Sequence, residues 1–264
     1  MPQSRRVDID RHNRRVTPEQ AAALSRGSID QLGSAFAEDP ATLRRARQLG
    51  LTGWAFYLVG RAGVLGDVDP VVVQAAIGLV DGEAVRDGWT TASRVAQPAE
   101  VARYHREECL RWGRERLEVF DGVAKLTDLA GRVVEAAEPA GMPLFAAWRA
   151  VSAPLGEPGA DAAALLHLLR EHWAGAHLLA IRAAGLTPLE AILTGPEGEA
   201  GALAAGWQPP YPQPGLSLRR LIRAQALTDR IVGQALATLS VPERTELVEL
   251  LAGAQAFTAE PMPR

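Results

Sequence analysis

Residues 165–186, L-L-H-L-L-R-E-H-W-A-G-A-H-L-L-A-I-R-A-A-G-L, constrain the fold more than any other stretch of the chain. They place three of its five histidines, with Arg170 and Glu171, in an otherwise apolar helix. Asp161 is expected to cap the start of that helix and Gly185 to close it, which predicts a core helix over 161–184. At about 100° per residue, Arg170, Ala174 and His177 share one stripe. His167 and Glu171 share a second stripe roughly 100° further round, and His172 points to a third side. A buried ionisable group without a partner costs several kcal/mol. These side chains therefore either satisfy one another or serve a ligand.

The rest of the chain reads as helix. Its 264 residues are 47% hydrophobic, enough for a sizeable core. Ala, Leu and Arg dominate, aromatic residues make up 5%, and no β-branched run exceeds Val71–Val73. Helix starts are written at Thr17-Pro18 with Gln20, Ser28 with Gln31, Asp39-Pro40, Thr187-Pro188 with Glu190, and Ser240 with Glu243. Helices are predicted near 18–26, 28–37, 40–49, 52–63, 69–79, 98–120, 123–137, 142–151, 161–184, 188–194, 217–239 and 241–257, with no convincing strand or internal repeat. The segment 207–215, W-Q-P-P-Y-P-Q-P-G, has four prolines in nine residues and cannot be helical. It divides the chain into an arm (1–16), a helical main domain (17–206), a Pro-rich linker (207–215) and a C-terminal helical pair (216–264). The segment is either a surface linker or a strap over a pocket, since Trp207 and Tyr211 would otherwise be exposed. On the charged 98–120 helix, Glu107 with Arg111, Arg111 with Glu115 and Arg114 with Glu118 read as pairs on a solvated face.

Several function classes are disfavoured. A lone cysteine, Cys109, permits no internal disulfide and no Cys-based metal site within one chain. No apolar run reaches the ~18 residues of a membrane span, and the N-terminus lacks the apolar core of a secretory signal, so a cytoplasmic protein is expected. A formal net charge of −3 gives no global attraction to nucleic acid or anionic lipid. His167 and His172 are five apart, as are His172 and His177, whereas helical zinc motifs need four, so no metal is expected there. The stretch 60–66, G-R-A-G-V-L-G, follows a helix and not a strand, and is no phosphate cradle. Arg219, Arg220 and Arg223 in the run 218–230 read as a solvated face before a phosphate-binding one.

The segment 50–68, G-L-T-G-W-A-F-Y-L-V-G-R-A-G-V-L-G-D-V, the block L-R-E-H-W-A-G-A-H at 169–177 and T-D-R at 228–230 resemble an actinobacterial all-α helix-turn-helix family. The likeness runs from about 28 to 257. Tyr57, Arg61, Leu65 and Gly66 match its first block, and Arg170, Glu171, His172, Gly175 and His177 its second. The chain departs from the family at Trp173-Ala174-Gly175, where R-G-D is usual, and at Gly33 and Asp81, where the family has histidines. The region that would hold a recognition helix and wing is shortened to the Pro-rich segment. The resemblance thus implies an all-α multi-helix bundle with a remnant winged-helix-like unit and without specific DNA binding.

These observations converge on a small-molecule pocket. Arg170, Glu171 and His177 are the candidate catalytic residues, and Trp54, Tyr57, Arg61, Asp81, His172 and Trp173 the candidate ligand-binding walls. In an enzyme, His177 or Glu171 would move a proton and Arg170 would hold an anionic group, with no cofactor. Such a site suits an isomerisation, cyclisation or elimination, and the family resemblance implies a place in actinobacterial secondary metabolism. Three alternatives stay open: a ligand-responsive regulator contacting DNA through Arg219, Arg220, Arg223, Arg5, Arg6, Arg14 and Arg15; a sequestration protein using the same pocket; and a purely structural polar cluster. Pairing into a homodimer is compatible with each.

Overall fold

The computed structural model describes residues 16–213 and 217–260. Within them lie thirteen α-helices, one 3-10 turn (Gly63–Leu65) and no strand. The first eight helices are α1 (Pro18–Glu38), α2 (Pro40–Gln48), α3 (Gly53–Ala62), α4 (Pro70–Ile77), α5 (Gly82–Ser93), α6 (Pro98–Arg116), α7 (Val123–Ala136) and α8 (Pro143–Val151). Then come α9 (Pro158–Ala183), α10 (Pro188–Thr194), α11 (Gly198–Ala204), α12 (Ser217–Leu236) and α13 (Val241–Ala259).

The caps explain most boundaries. Thr17 with Gln20, Thr187 with Glu190 and Ser240 with Glu243 form reciprocal capping boxes, each followed by Pro in the first turn. Asp39 and Asp69 cap α2 and α4 without the reciprocal bond, accepting from the N–H groups of Ala41 and Val71, again with Pro in the first turn. Ser28, by contrast, starts nothing. It lies inside α1, where its hydroxyl donates to Gln255 on α13 at 2.6 Å. The predicted break at 27–28 fails because Ala21, Ala22, Ser25, Ser28, Ile29, Leu32 and Phe36 continue one buried stripe through it. Asp161 is likewise no N-cap. The helix begins at Pro158, and the Asp161 carboxylate reaches back to the backbone N–H groups of Leu155 and Gly156 at 2.8 and 2.9 Å. Gly185 closes α9 as expected, at φ 77°.

The apolar α9 is the axis of the molecule, packed by α1, α6, α7, α8 and α12. Close approach to it is set by glycine. A Cβ at Gly113 of α6 would lie 2.3 Å from the carbonyl oxygen of Gly159, and one at Gly33 of α1 would lie 2.7 Å from both the Leu166 carbonyl and Arg170 Cβ. At Gly33 this packing leaves no room for a side chain. The C-terminal helices join the same core: Val232, Leu236, Leu247 and Leu251 lie in one cluster with Phe36, Leu126 and Leu166. The packing thus unites what the Pro-rich segment separates in sequence. Of the expected arm, all but Val16 lies outside the described residues, as do Pro214 and Gly215 of the expected linker. Among the described residues no single helix is long and apolar enough to cross a membrane.

Helix α6 is tied inward more than its charge pattern suggests. Arg111 reaches Glu115 as expected, but also Asp39 at 2.8 Å and Thr42 at 3.2 Å, joining α6 to α2. Glu107 pairs with Arg103, and Arg114 with Glu157, in place of the expected partners.

Candidate functional site

Three places along α9, not one pocket, receive the residues singled out from the sequence. The first centres on Glu171. Both of its carboxylate oxygens accept from Arg61 of α3, at 2.7 and 3.0 Å, and both side chains are buried. Burial alone would raise the Glu171 carboxyl, but Arg61 outweighs it and holds the group below the ordinary carboxylate value. An anion held in this way is a poor proton acceptor, so the base role expected of Glu171 has little chemical support.

Arg170, one residue earlier, turns outward. It donates to Tyr57 Oη at 3.2 Å and to Asp30 at 3.1 Å, and passes 3.5 Å from Glu171. Burial would raise the Tyr57 phenol, yet Arg61 and Arg170 more than cancel that and leave it below the usual tyrosine value. Arg170 and Tyr57, with Ser34, Glu38, Leu43 and Trp54, line an open cleft of about 440 Å³. The indole of Trp54 is 39% exposed on its wall. Four sequence candidates therefore meet here: Arg170, Tyr57 and Trp54 face the cleft, and Arg61 stands behind them.

The other candidates lie elsewhere. His177 and Trp173 stack at 5.0 Å and 15° near α12, in a different cleft. His172 is buried against Phe145 of α8, ring centroids 5.0 Å apart, and burial with Arg149 nearby lowers it to about 4. Asp81 caps α5, accepting from the N–H groups of Glu83 and Ala84 at 2.9 and 3.2 Å, and lines neither cleft. The expected stripe linking Arg170 to His177 fails because the two side chains, two turns apart, meet different neighbours: α1 and α3 for one, α12 for the other.

A buried histidine pair escaped the sequence reading. His105 of α6 and His167 pack 5.6 Å apart among Phe36, Phe56 and Trp148. A backbone carbonyl only accepts, so the 3.3 Å contact of His167 Nδ1 with Gly33 O places the proton on Nδ1. His167 Nε2 and His105 Nδ1 are buried without partners. Burial lowers both rings, His167 to about 4. Only the tertiary packing brings His105 to this place, and no sequence motif marks it. No group of three metal-ligating side chains occurs among the described residues.

Helices α10 and α11 are each seven residues long and joined by the turn Gly195–Glu197, a short helix–turn–helix pair. The exposed side chains of α11 are Glu199, Ala200, Leu203 and Ala204. None is basic, and none carries the amide or guanidinium that reads base edges. Beyond it, Trp207 is half-buried and donates from Nε1 to Leu79 O at 3.2 Å, while Tyr211 Oη donates to Trp207 O at 2.9 Å. The Pro-rich segment therefore lies against the body through its aromatic residues. Arg219, Arg220 and Arg223 are exposed on α12, and Arg5, Arg6, Arg14 and Arg15 lie outside the described residues.

Fold and site together define an all-α protein built on one apolar axis, with a short helix–turn–helix pair at its end. The model of a helix-turn-helix family matches residues 22–212, more than half of the chain, and the protein belongs to that family. The matched span holds both residue blocks at 50–68 and 169–177 and stops before α12. No curated protein and no solved structure matches the chain.

Proposed function

We propose that this protein is a small-molecule-binding member of its helix-turn-helix family, with the Arg170–Tyr57–Trp54 cleft as its site. The observation that carries this reading is the guanidinium of Arg170 bonded to the Tyr57 phenol in an open cleft, with the buried Arg61–Glu171 pair fixing the wall behind. Arg61 and Arg170 both act on the Tyr57 phenol there, and together they outweigh the opposing effect of burial. A ligand with a carboxylate or other anionic oxygen fits beside Arg170, and an apolar or aromatic body fits against Trp54. If the site is catalytic, proton transfer falls to Tyr57, whose hydroxyl faces ligand, and not to Glu171 or the distant His177. Cofactor-free isomerisation, cyclisation or elimination needs no more than such an acid and an anion clamp.

The test is calorimetric titration of the full-length protein with benzoate and 2-naphthoate. Saturable binding, weakened at least about tenfold by Arg170→Gln, is expected on the scale of one charged hydrogen bond. Equal binding by the variant, or none by either protein, removes the reading.

A ligand-responsive regulator is the second reading, favoured by the α10–α11 pair and by exposed Arg219, Arg220 and Arg223. Against it stands the uncharged-to-acidic face of α11, since a reading helix needs base-contacting side chains. A sequence-specific DNA complex at ~150 mM salt, tighter than the usual non-specific range of about 10⁻⁴ to 10⁻⁶ M, would decide for the regulator.

A further inference from the structure

The second cleft, of about 390 Å³, is bounded by Arg26 of α1, Trp173 and His177 of α9, Leu221 of α12, and Ile192 and Glu197 at the α10–α11 pair. Its size falls within the range of small-ligand sites, about 300–1,000 Å³. None of these residues lines the Arg170 cleft.

The hydrogen bonds fix what His177 offers. A hydroxyl has one proton to give, and Thr228 gives it to Ala224 O at 2.9 Å. Toward His177, 3.2 Å away, Thr228 Oγ1 therefore accepts, and the ring proton sits on Nδ1. Nε2 is left as an acceptor, with no partner among the described residues and not closed off from solvent. Burial, with Arg26 nearby, lowers His177 to about 4, so the ring is uncharged near neutral pH. Trp173 stacks on it at an interplanar angle of 15°. Arg26 is neutralised by Asp229 at 3.0 Å and lies 5.9 Å from the Trp173 ring centroid. Two buried donors on this wall, Arg26 Nε and Trp173 Nε1, have no partner. The cleft thus combines a flat aromatic pair, largely apolar walls that also include Glu197 and Gln225, no free cation and one imidazole acceptor of fixed tautomer.

We infer that this cleft binds a flat, uncharged ring compound that lies against the Trp173–His177 pair and donates an N–H or O–H to His177 Nε2, and that its occupancy steadies the α10–α11 pair. This site is independent of the anion cleft proposed above. Because Ile192 and Glu197 form one wall, a bound ring bridges α9 to the helix–turn–helix pair.

The probes are indazole and 1-methylindazole, which share a ring system while only the first carries an N–H donor. Calorimetric titration of the full-length protein is expected to show saturable indazole binding and at least about tenfold weaker binding of the methylated ring, the scale of one lost hydrogen bond. His177→Phe keeps the stacking surface, removes the acceptor, and is expected to weaken indazole to the same degree. Arg170→Gln is expected to leave it unchanged. Indazole is also expected to slow amide exchange over residues 188–204. On the unmodified protein, the ¹⁵N resonance of His177 Nε2 is expected to move with indazole and not with 1-methylindazole, a readout that holds even if His177→Phe fails to fold. No binding, equal affinity for the two rings, an unmoved His177 resonance, or loss of binding in Arg170→Gln would each overturn the inference.

Discussion

Two adjacent parts of one helix solve the burial of polar groups in opposite ways. At Arg170 and Glu171, every charge has a partner: Glu171 receives two bonds from Arg61, and Arg170 reaches Tyr57 and Asp30. One to two turns on, at Trp173 and His177, the side chains of the helix carry no charge and their hydrogen bonds are incomplete. His177 stays neutral, its Nε2 is unpartnered, and Trp173 Nε1 is buried alone. The first region is anchored by the buried Arg61–Glu171 pair, whose disruption should unsettle the fold, while Arg170 beside it faces a cleft. The second is held by stacking and one hydroxyl, and its spare valences face a cleft. The difference teaches that a polar stripe in a core helix has no single meaning, because each residue takes its role from the helix opposite it.

Acid gives the largest expected effect and separates the two regions directly. His167, His172 and His177 are held neutral by burial, each near 4 against an ordinary 6.5. Above about pH 6.5 neither the folded nor the unfolded chain protonates them. Between 6.5 and 4 the unfolded chain takes up protons that the folded chain refuses, so stability falls as pH falls, by up to about 1.4 kcal/mol per unit for each ring. Below 4 the slope flattens. Glu171, held low by Arg61, acts in the same direction only toward the acid end of that window, where the unfolded carboxyl begins to protonate around its ordinary value of 4.5. Urea midpoints at pH 7 and pH 5 check this, and identical midpoints would erase the contrast.

Breaking the ion pair comes next. Glu171→Gln leaves the Arg61 guanidinium buried without its countercharge, which costs about 3–5 kcal/mol. Replacing both partners, Arg61→Met with Glu171→Leu, removes the stranded charge and is expected to recover most of that loss. Chemical denaturation of the single and double variants reads the difference, and a double variant no better than the single would show that the pair does more than satisfy itself.

The smallest effect belongs to His177. Thr228 keeps its bond to Ala224 when His177 is lost, and the ring borders open space. His177→Phe is therefore expected to change stability by less than about 1 kcal/mol at pH 7, while removing part of the acid sensitivity. A thermal melt at pH 7 measures it. A drop as large as that of Glu171→Gln would make His177 a structural residue like its neighbours upstream.

Local signals in the chain specified a good deal. The Thr17, Asp39, Thr187 and Ser240 caps, the Pro in each first turn and Gly185 after α9 all act within a few residues, so their effects can be read without knowing the neighbours. They mark the starts of α1, α2, α10 and α13 closely. Helix α5 escaped because Gly82, Gly88 and the Thr90-Thr91 pair suppress propensity, although Val85, Trp89 and Ala92 bury one face. Helix α11 escaped for a similar reason, with Gly198 and Gly201 in seven residues.

For the site, the sequence named Arg170, Tyr57 and Trp54, which the fold brings to one cleft, Arg61 and Glu171, which it pairs behind that cleft, and also His172, Trp173, His177 and Asp81, which it sends elsewhere. Helical periodicity places residues around one axis but says nothing of which helix stands opposite each face. The all-α class, the apolar axis and most helix ends were decided by interactions between near neighbours in the chain. The pairing of Arg61 with Glu171, the burial of His105 against His167 and the two clefts were decided only by tertiary contact, because each joins residues more than fifty positions apart through glycine-permitted crossings that no local pattern records.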